Sequence, residues 1–399
     1  MTDILKRLAR LPEDRRAQFL AQLRAEVDGG SSRGPMPRPT DGPAPLSFNQ
    51  EPLWSHFRLA PDQPTYNMPL CSRIRGPLDL QALRTALAGV VDRHQALRTT
   101  ISEGPDGPVL VAAAAVPSDL PLFVVQGTNR LASALEQVRA AGRVPFDLTH
   151  GPLWRATVYR LDRDDHLFLF NVHHAVFDGW SQAVFAADLG QFYRAALAGT
   201  APDLPGLSVQ YADFAAWQRQ WLAGRRLDEL SAWWRDRLAD APVLEFPADR
   251  PRPNQVSFEG TVAEYDLPAD SADLVESLAQ QAGVTPFVVY TAVFLALLHR
   301  YTGQDDLVIG SPNANRRHSS LEPVVGFFIN QLVLRTDVSG NPTFRELIDR
   351  VRIVVGDAFA HGDLPFGKLV EAVRPVRDPS RQPLFQVAFA VQDAGLPLR

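Results

Sequence analysis

One apolar run in the middle of the chain most constrains the fold. His166-Leu-Phe-Leu-Phe-Asn-Val172 has no alternation between apolar and polar positions at its centre, which predicts a strand buried on both faces. The following residues, 181–197, carry apolar side chains at helical spacing, among them Val184, Leu189, Phe192 and Tyr193. A doubly buried strand followed by an amphipathic helix predicts a mixed α/β fold.

The alternation of helices and strands continues on both sides of this run. Leu83, Leu87, Val90, Val91 and His94 fall on one helical face. In the second half we predict helices over 272–281, 286–301 and 343–359, and strands over 306–312, 324–337 and 383–392. Two halves of comparable size are joined by a Trp- and Pro-rich segment from about 217 to 255.

Domain boundaries follow from these patterns. Residues 1–30 have helical periodicity and predict a helical leader, which either docks an upstream partner or packs as an appendage. Residues 31–44 are rich in Gly, Pro, Ser and Arg and predict an exposed linker. We therefore expect a first lobe over 45–216 and a second over 217–399.

Composition excludes several classes of protein. The chain has 399 residues, of which 45% are hydrophobic and 21% charged, so it is globular rather than disordered. The longest uncharged apolar run, 109–116, is far too short to span a membrane. The single cysteine, Cys71, excludes an internal disulfide, and we expect a cytosolic protein. The net charge is −5 with acids and bases interspersed, so no nucleic-acid partner is expected.

The residues most suggestive of chemistry follow the buried strand. His173 and His174 end it, and because successive strand residues point to opposite faces, one histidine should face a cavity and the other the scaffold. Asp178 lies close enough in the turn to accept backbone N–H groups or pair with an arginine. Gly179 lets a ligand approach the backbone closely, and the helix that follows offers free N–H donors at its N-terminus. Acyl transfer needs an imidazole near such donors.

Other interpretations of this turn are open on residue type alone. A hydrogen-bonded core pair is the commoner reason for two adjacent histidines. The other histidines are scattered singly, without the spacing of metal ligands, so we expect no metal site. No G-x-S-x-G elbow, P-loop or dinucleotide fingerprint is present.

A family resemblance decides between these interpretations. His173–Ser181, HHAVFDGWS, resembles the HHxxxDG signature of the condensation domains of nonribosomal peptide synthetases, which share a superfamily with chloramphenicol acetyltransferase. The family's other motifs are matched in order from residue 44 to 399, by LSFNQEPLW (46–54), DRHQALRTTI (92–101), YADFAAWQ (211–218), VVGFFINQLVLR (324–335), HGDLPFGKLVE (361–371) and RDPSRQPLFQV (377–387).

The resemblance implies two acetyltransferase-like lobes in a V, with the active site between them. It implies that donor and acceptor peptidyl carrier proteins supply phosphopantetheine-bound thioesters, that an adenylation domain is a neighbour, and that the domain has no cofactor of its own. By the resemblance His174 is the active-site histidine, His173 and Asp178 shape the site, and Gly179 lends its backbone N–H. Whether His174 acts as a base or by positioning stays open. The general pattern is most similar to the subtype that joins an L donor to an L acceptor.

The resemblance also suggests supporting residues. Asp178 should pair with Arg98 or, as second choice, Arg316; the alternative is that both arginines are solvated. Asn330, Trp180 and Ser181 are candidates for the substrate tunnel, although Asn330 is equally well explained as a hydrogen-bonded strand end. Packing between the lobes is the expected role of Tyr211, Trp217 and Trp221.

Departures from the family pattern keep two other functions open. Gln331, Gly362 and Gly367 replace the usual threonine, glutamine and glutamate, and the chain ends soon after the last motif, which suggests a truncated second lobe. One alternative is a same-fold interaction domain that recruits a tailoring enzyme without forming a bond. The other is a stand-alone acyltransferase that uses coenzyme A or a carrier.

Overall fold

The computed structural model describes residues 34–40, 42–254, 260–376 and 378–392. The helical leader expected over 1–30 lies outside the described residues. The described helices are α1 (Gln50–Leu59), α2 (Leu80–Arg93), α3 (Arg130–Gly142), α4 (Gly179–Ala198), α5 (Tyr211–Trp221), α6 (Arg225–Arg237), α7 (Ser271–Ala282), α8 (Pro286–Thr302), α9 (Phe344–Ala360) and α10 (Phe366–Val373). The described strands are β1 (Ala44–Pro45), β2 (Asn67–Arg75), β3 (Thr99–Gly104), β4 (Gly107–Ala112), β5 (Leu122–Val124), β6 (Trp154–Asp162), β7 (Asp165–His173), β8 (Asp306–Asn313) and β9 (Asn330–Asp337).

The first half is built around the predicted buried strand, and that prediction is confirmed. In β7 every residue after Asp165 is buried. The strand lies inside a four-stranded sheet of order β2-β7-β6-β5, antiparallel to both of its neighbours. A second sheet, of order β1-β4-β3, contributes Ala44, Ile101 and Leu110 to the same hydrophobic core. Helix α2 packs against α4 with Leu83, Leu87, Val90 and Val91 buried, as the helical face predicts.

The second half contains an antiparallel pair, β8 and β9, covered by α8 and α9. The prediction of a strand over 324–337 is wrong at its start: β9 begins at Asn330, and 324–329 is a loop. The strand predicted over 383–392 is reduced to one parallel bridge between Gly310 and Ala388. Two hydrogen bonds define this bridge, Gly310 N to Val387 O (2.9 Å) and Phe389 N to Gly310 O (2.8 Å).

The described residues form two large hydrophobic cores, one for each half, and a smaller third cluster that includes Val125, Ala134 and Val138. The first core gathers residues from Ala44 to Ala215 and the second residues from Trp234 to Leu384. Five buried residues of the second half nevertheless belong to the first core, namely Leu321, Val324, Val325, Phe327 and Phe328, and the partly buried Ile329 packs against it. The second half therefore contributes a loop directly beneath the histidine turn.

The segment predicted as an exposed linker is anchored at several points. Pro35 and Ala44 are buried. The backbone N–H of Arg38 donates to Asp213 Oδ1 at 3.0 Å, and its Nε reaches the same oxygen at 3.3 Å. Arg38 therefore ties this stretch to α5 through Asp213.

Within the described residues, no single helix is long and apolar enough to cross a membrane. By length and composition alone, the pair α7 and α8 passes such a test, bent by 107° at the break between them.

Candidate active site

The histidine turn is a sharp connection between β7 and α4. The strand ends at His173, a 3₁₀ turn covers His174–Val176, and Asp178 is the N-cap of α4. Because the strand is fixed on both sides and the helix begins soon after it, the turn has little freedom. Both histidines are held by backbone bonds: His173 N donates to Leu153 O and His174 N to Tyr66 O, at 2.9 and 2.8 Å.

His173 is the scaffold histidine. Its ring is buried and its Nδ1 accepts the backbone N–H of Ala175 at 3.0 Å. A nitrogen that accepts carries no proton, so the proton of the neutral ring is on Nε2. Burial lowers the pKa of His173 to about 3. His173 is therefore neutral at physiological pH; it bonds its own turn and packs edge-on against the rings of Tyr66 and Phe146.

His174 has the opposite arrangement. Its Nδ1 lies 2.6 Å from the carbonyl oxygen of Phe177, and because a carbonyl only accepts, Nδ1 carries the proton. In the neutral ring Nε2 then has a bare lone pair, and no group in the described part of the chain hydrogen-bonds to it. The residue is partly exposed, and burial lowers the pKa of its imidazole. His174 therefore presents a neutral acceptor nitrogen toward the open side of the turn.

Asp178 joins the two halves of the molecule. Its Oδ1 accepts from Ser181 N (2.8 Å), Ser181 Oγ (2.7 Å) and Arg316 Nη2 (3.0 Å). Its Oδ2 accepts the backbone N–H of Phe328 at 2.9 Å. The carboxylate thus caps α4 and holds the loop of the second half at the same time.

Arg316, the second choice from sequence, is the residue paired with Asp178. Both side chains are 1% exposed. The guanidinium also donates to Leu321 O (2.7 Å) and Val324 O (2.6 Å) and lies 4.0 Å from the ring centroid of Phe328. These contacts hold the segment from Leu321 to Phe328 in one conformation.

The prediction that Arg98 pairs with Asp178 is wrong. Its guanidinium donates to the carbonyls of Val91 (3.2 Å), Asp92 (3.2 Å), Ala113 and Ala114 (3.2 Å). The cause is local: Arg98 ends a 3₁₀ turn directly after α2, where the last helical carbonyls need donors.

Two of the three tunnel candidates, Ser181 and Asn330, are buried. Ser181 is completely buried, and its hydroxyl lies among Asp178, Arg316 and Gly326. Asn330 is buried and donates to Gly362 O (2.9 Å) and Leu364 O (2.8 Å) while accepting from Phe366 N (3.0 Å). The strand-end interpretation of Asn330 is the correct one. Trp180 is 40% exposed and donates to Glu322 O at 2.9 Å.

Gly179 lies beside open space. It is exposed at the first position of α4, and a Cβ built on it would meet no protein atom within 4 Å. Neither left-handed backbone nor packing in the described residues requires a glycine here. A remaining physical reason for glycine at this position is that it leaves room for a ligand over the helix N-terminus.

Sequence reasoning missed the loop formed by 324–329 as a component of the site. Three of its backbone N–H groups donate to side chains of the first half. Val325 N donates to His94 Nδ1 (3.3 Å), Gly326 N to Ser181 Oγ (3.0 Å) and Phe328 N to Asp178 Oδ2 (2.9 Å). His94 also bonds Asp188 of α4 through Nε2 at 2.8 Å. The Arg-His motif in DRHQALRTTI was the available signal, since a buried histidine beside an arginine needs partners.

The described residues contain no group of three or more His, Cys, Asp or Glu side chains that could hold a metal ion. Neither the turn nor its supports present a set of ligands. The described site presents an imidazole, a helix N-terminus and a buried ion pair.

Comparison with known proteins identifies the family. The Condensation domain family model matches residues 41–395. This chain belongs to the condensation-domain family. It is 43% identical over 358 residues to one of the linear gramicidin synthase proteins of Brevibacillus parabrevis, covering 89% of this chain and 7% of that protein. It is 41% identical over 398 residues to phosphinothricin tripeptide synthetase PhsC of Streptomyces viridochromogenes, covering 98% and 37%.

The condensation domain thus spans well under half the length of these two synthetases. Among solved structures it is similar to the X-domain from teicoplanin biosynthesis, with 31% identity, a TM-score of 0.77, and 90% and 78% of the two chains covered. The first condensation domain of the calcium-dependent antibiotic synthetase matches with a TM-score of 0.71 at 23% identity over 87% and 80%, which shows the fold alone. The expected chloramphenicol-acetyltransferase-like α/β fold is confirmed.

Proposed function

We propose that this condensation domain forms an amide bond between a donor and an acceptor thioester, each carried on the phosphopantetheine arm of a peptidyl carrier protein. One observation carries the proposal: the Nδ1–H of His174 is engaged by Phe177 O at 2.6 Å, which leaves Nε2 unprotonated on the partly exposed side. The long synthetases among its relatives support carrier and adenylation domains as neighbours.

In the proposed reaction the acceptor amine attacks the donor thioester carbon. The C–N bond forms, the C–S bond breaks, and the one proton that the amine gives up ends on the departing thiolate, which becomes the free thiol of the donor carrier. Nε2 of His174 accepts this proton from the attacking amine and passes it on, and general-base help of this kind is worth about 10²–10⁴-fold. We propose that the backbone N–H of Gly179, at the first position of α4 and beside open space, stabilises the oxyanion that develops in this reaction.

His173 and the Asp178–Arg316 pair support this reaction without touching substrate. His173 fixes the turn through Ala175, and the ion pair fixes the loop that packs against His174. We propose the L-donor, L-acceptor subtype on the motif pattern, and an intracellular location that fits carrier-bound substrates.

The experiment uses two carrier proteins loaded with defined aminoacyl thioesters, one with an L and one with a D donor. Intact-protein mass spectrometry follows transfer to the acceptor carrier. We expect product with the L donor and a loss of about 10²-fold or more in His174→Ala. Equal rates in both proteins would refute the catalytic role, and preference for the D donor would refute the subtype.

A second candidate is an interaction domain of the same fold. The likeness to the teicoplanin X-domain favours it, since that domain has been solved in complex with OxyB and is 32% identical to this chain with a TM-score of 0.79. The same assay separates the two functions: an interaction domain gives no product from either donor and binds a tailoring enzyme, measured by calorimetry, with unchanged affinity in His174→Ala.

A further inference from the structure

A buried run of hydrogen bonds lies behind the histidine turn. Gln50 N donates to Ser47 Oγ (3.2 Å), the Ser47 hydroxyl lies 2.8 Å from that of Tyr211, and Tyr211 Oη donates to Phe327 O (2.9 Å). The two ends fix the direction, because an N–H only donates and a carbonyl only accepts. Ser47 therefore donates to Tyr211, and each hydroxyl in the run is both donor and acceptor.

One end of this run bonds the residue after His174, and the other end holds the residue whose ring packs on the imidazole. At one end, the Gln50 side chain accepts from Ser47 N (3.0 Å) and donates to the carbonyl of Ala175 (2.8 Å), the residue after His174. At the other end, the ring of Phe327 packs edge-on against the imidazole, with ring centroids 4.9 Å apart and planes at 71°. The run thus holds the turn from below and the ring from the side.

We infer that Ser47, Gln50 and Tyr211 are positioning residues that set the orientation of the His174 imidazole, with the Tyr211 hydroxyl as the decisive link to Phe327. The inference rests on the proposed function and adds a requirement to it. Tyr211 is 2% exposed, and its ring already packs against Phe214 and Phe328. Since a phenylalanine would fill the same volume, the hydroxyl is explained by its bond to the Phe327 carbonyl.

The orientation of His174 depends on this bond because Phe327 belongs to a loop. Its neighbour Phe328 is fixed through its N–H by Asp178, but the Phe327 carbonyl has Tyr211 as its donor. The two groups belong to one peptide unit, so without the Tyr211 donor that peptide is held only at its nitrogen, its buried carbonyl loses its partner, and the Phe327 ring is held less firmly. The imidazole then gains room to turn, and its Nδ1–H bond to Phe177 O competes with other arrangements.

The test compares Tyr211→Phe with Thr291→Val. The control removes a buried hydroxyl that bonds Phe287 O at 2.7 Å in α8, in the other core. Nitrogen-15 labelling of the histidines reports which ring nitrogen of His174 is protonated, and the carrier assay gives kcat and KM. In Tyr211→Phe we expect a mixture of tautomers and a fall in kcat of about tenfold or more, with KM within about twofold. In Thr291→Val we expect the wild-type spectrum and kcat.

The tautomer spectrum tests the positioning role, and product formation tests the proposed function. A single Nδ1–H tautomer in Tyr211→Phe with wild-type kcat would overturn the inference, as would an equal fall in kcat in Thr291→Val. If wild type makes no product, the proposed function fails while the tautomer comparison still decides the positioning role. If Tyr211→Phe does not fold, Ser47→Ala replaces it, because it removes the donor to Tyr211 and leaves the bond to Phe327; a smaller shift toward mixed tautomers supports the inference, and none contradicts it.

Discussion

Removal of the Asp178 carboxylate should be among the most destabilising single changes in this protein. In Asp178→Ala the Arg316 guanidinium, which is 1% exposed in the wild type, loses its paired carboxylate, and the Phe328 N–H loses its acceptor. Removing one partner of a buried ion pair lowers the free energy of unfolding by about 3–5 kcal/mol, because the other charge stays buried and unpaired. Loss of the helix cap contributes about 1 kcal/mol within that total. A typical folded domain is stable by about 5–15 kcal/mol, so the folded yield should fall together with the activity.

Urea unfolding followed by tryptophan fluorescence measures this cost. Asp178→Asn separates its parts, because asparagine still caps Ser181 N but removes the charge that faces Arg316. Asp165→Ala is the matched control, since its pair with Arg73 is 25–30% exposed and such pairs contribute about 0.2–1 kcal/mol. We expect the loss of unfolding free energy to rank Asp178→Ala, then Asp178→Asn, then Asp165→Ala.

The ranking can fail in an informative way. If Asp178→Ala unfolds at the same urea concentration as Asp165→Ala and only turns over slowly, the carboxylate acts on substrate rather than on the fold. The assignment of Asp178 and Arg316 to a structural pair would then be wrong.

Three further predictions concern single residues. Arg98→Ala should lose about 1–3 kcal/mol of unfolding free energy in urea, because four carbonyls lose a charged donor, while the folded fraction keeps wild-type specific activity; a loss of activity alone would contradict this. Gly179→Ala should unfold within about 1 kcal/mol of wild type, since its Cβ meets no protein atom, yet lose about tenfold or more in condensation rate if substrate passes there. Because the pKa of His173 is lowered to about 3, the unfolded chain binds a proton that the folded one does not, so stability should fall as pH drops from 6.5 toward 3, by up to about 1.4 kcal/mol per unit. His173→Asn should flatten that slope by about one proton, and a slope equal to wild type would contradict the assignment.

Local patterns predicted the elements that surround the site. The unbroken run from Leu167 to Phe170 placed β7, and the change to helical spacing after Gly179 placed α4. The opposite directions of adjacent strand residues predicted different roles for the two histidines. The bonds that their ring nitrogens make agree with that difference, because His173 accepts from Ala175 and His174 donates to Phe177.

The partners across the two halves were beyond sequence reasoning. Arg98 and Arg316 are equally plausible partners by residue type. Only the fold shows that Arg98 donates to four backbone carbonyls while Arg316 lies against Asp178. The loop at 324–329 looks like a strand because it is apolar, but its N–H groups bond side chains rather than a neighbouring strand. Hydrophobic pattern reports burial and not the identity of the hydrogen-bond partner, so the wrong start of β9 has the same origin.

The pH dependence of kcat for the wild type and His174→Ala, with both carriers loaded, tests the central claim most directly. The lone pair on Nε2 is lost when the ring is protonated, and burial lowers the pKa of His174, so kcat in wild type should fall on the acid side with a midpoint below pH 6.5. The variant should show a reduced kcat without that acid limb. An identical acid limb in both proteins would show that His174 does not handle the proton.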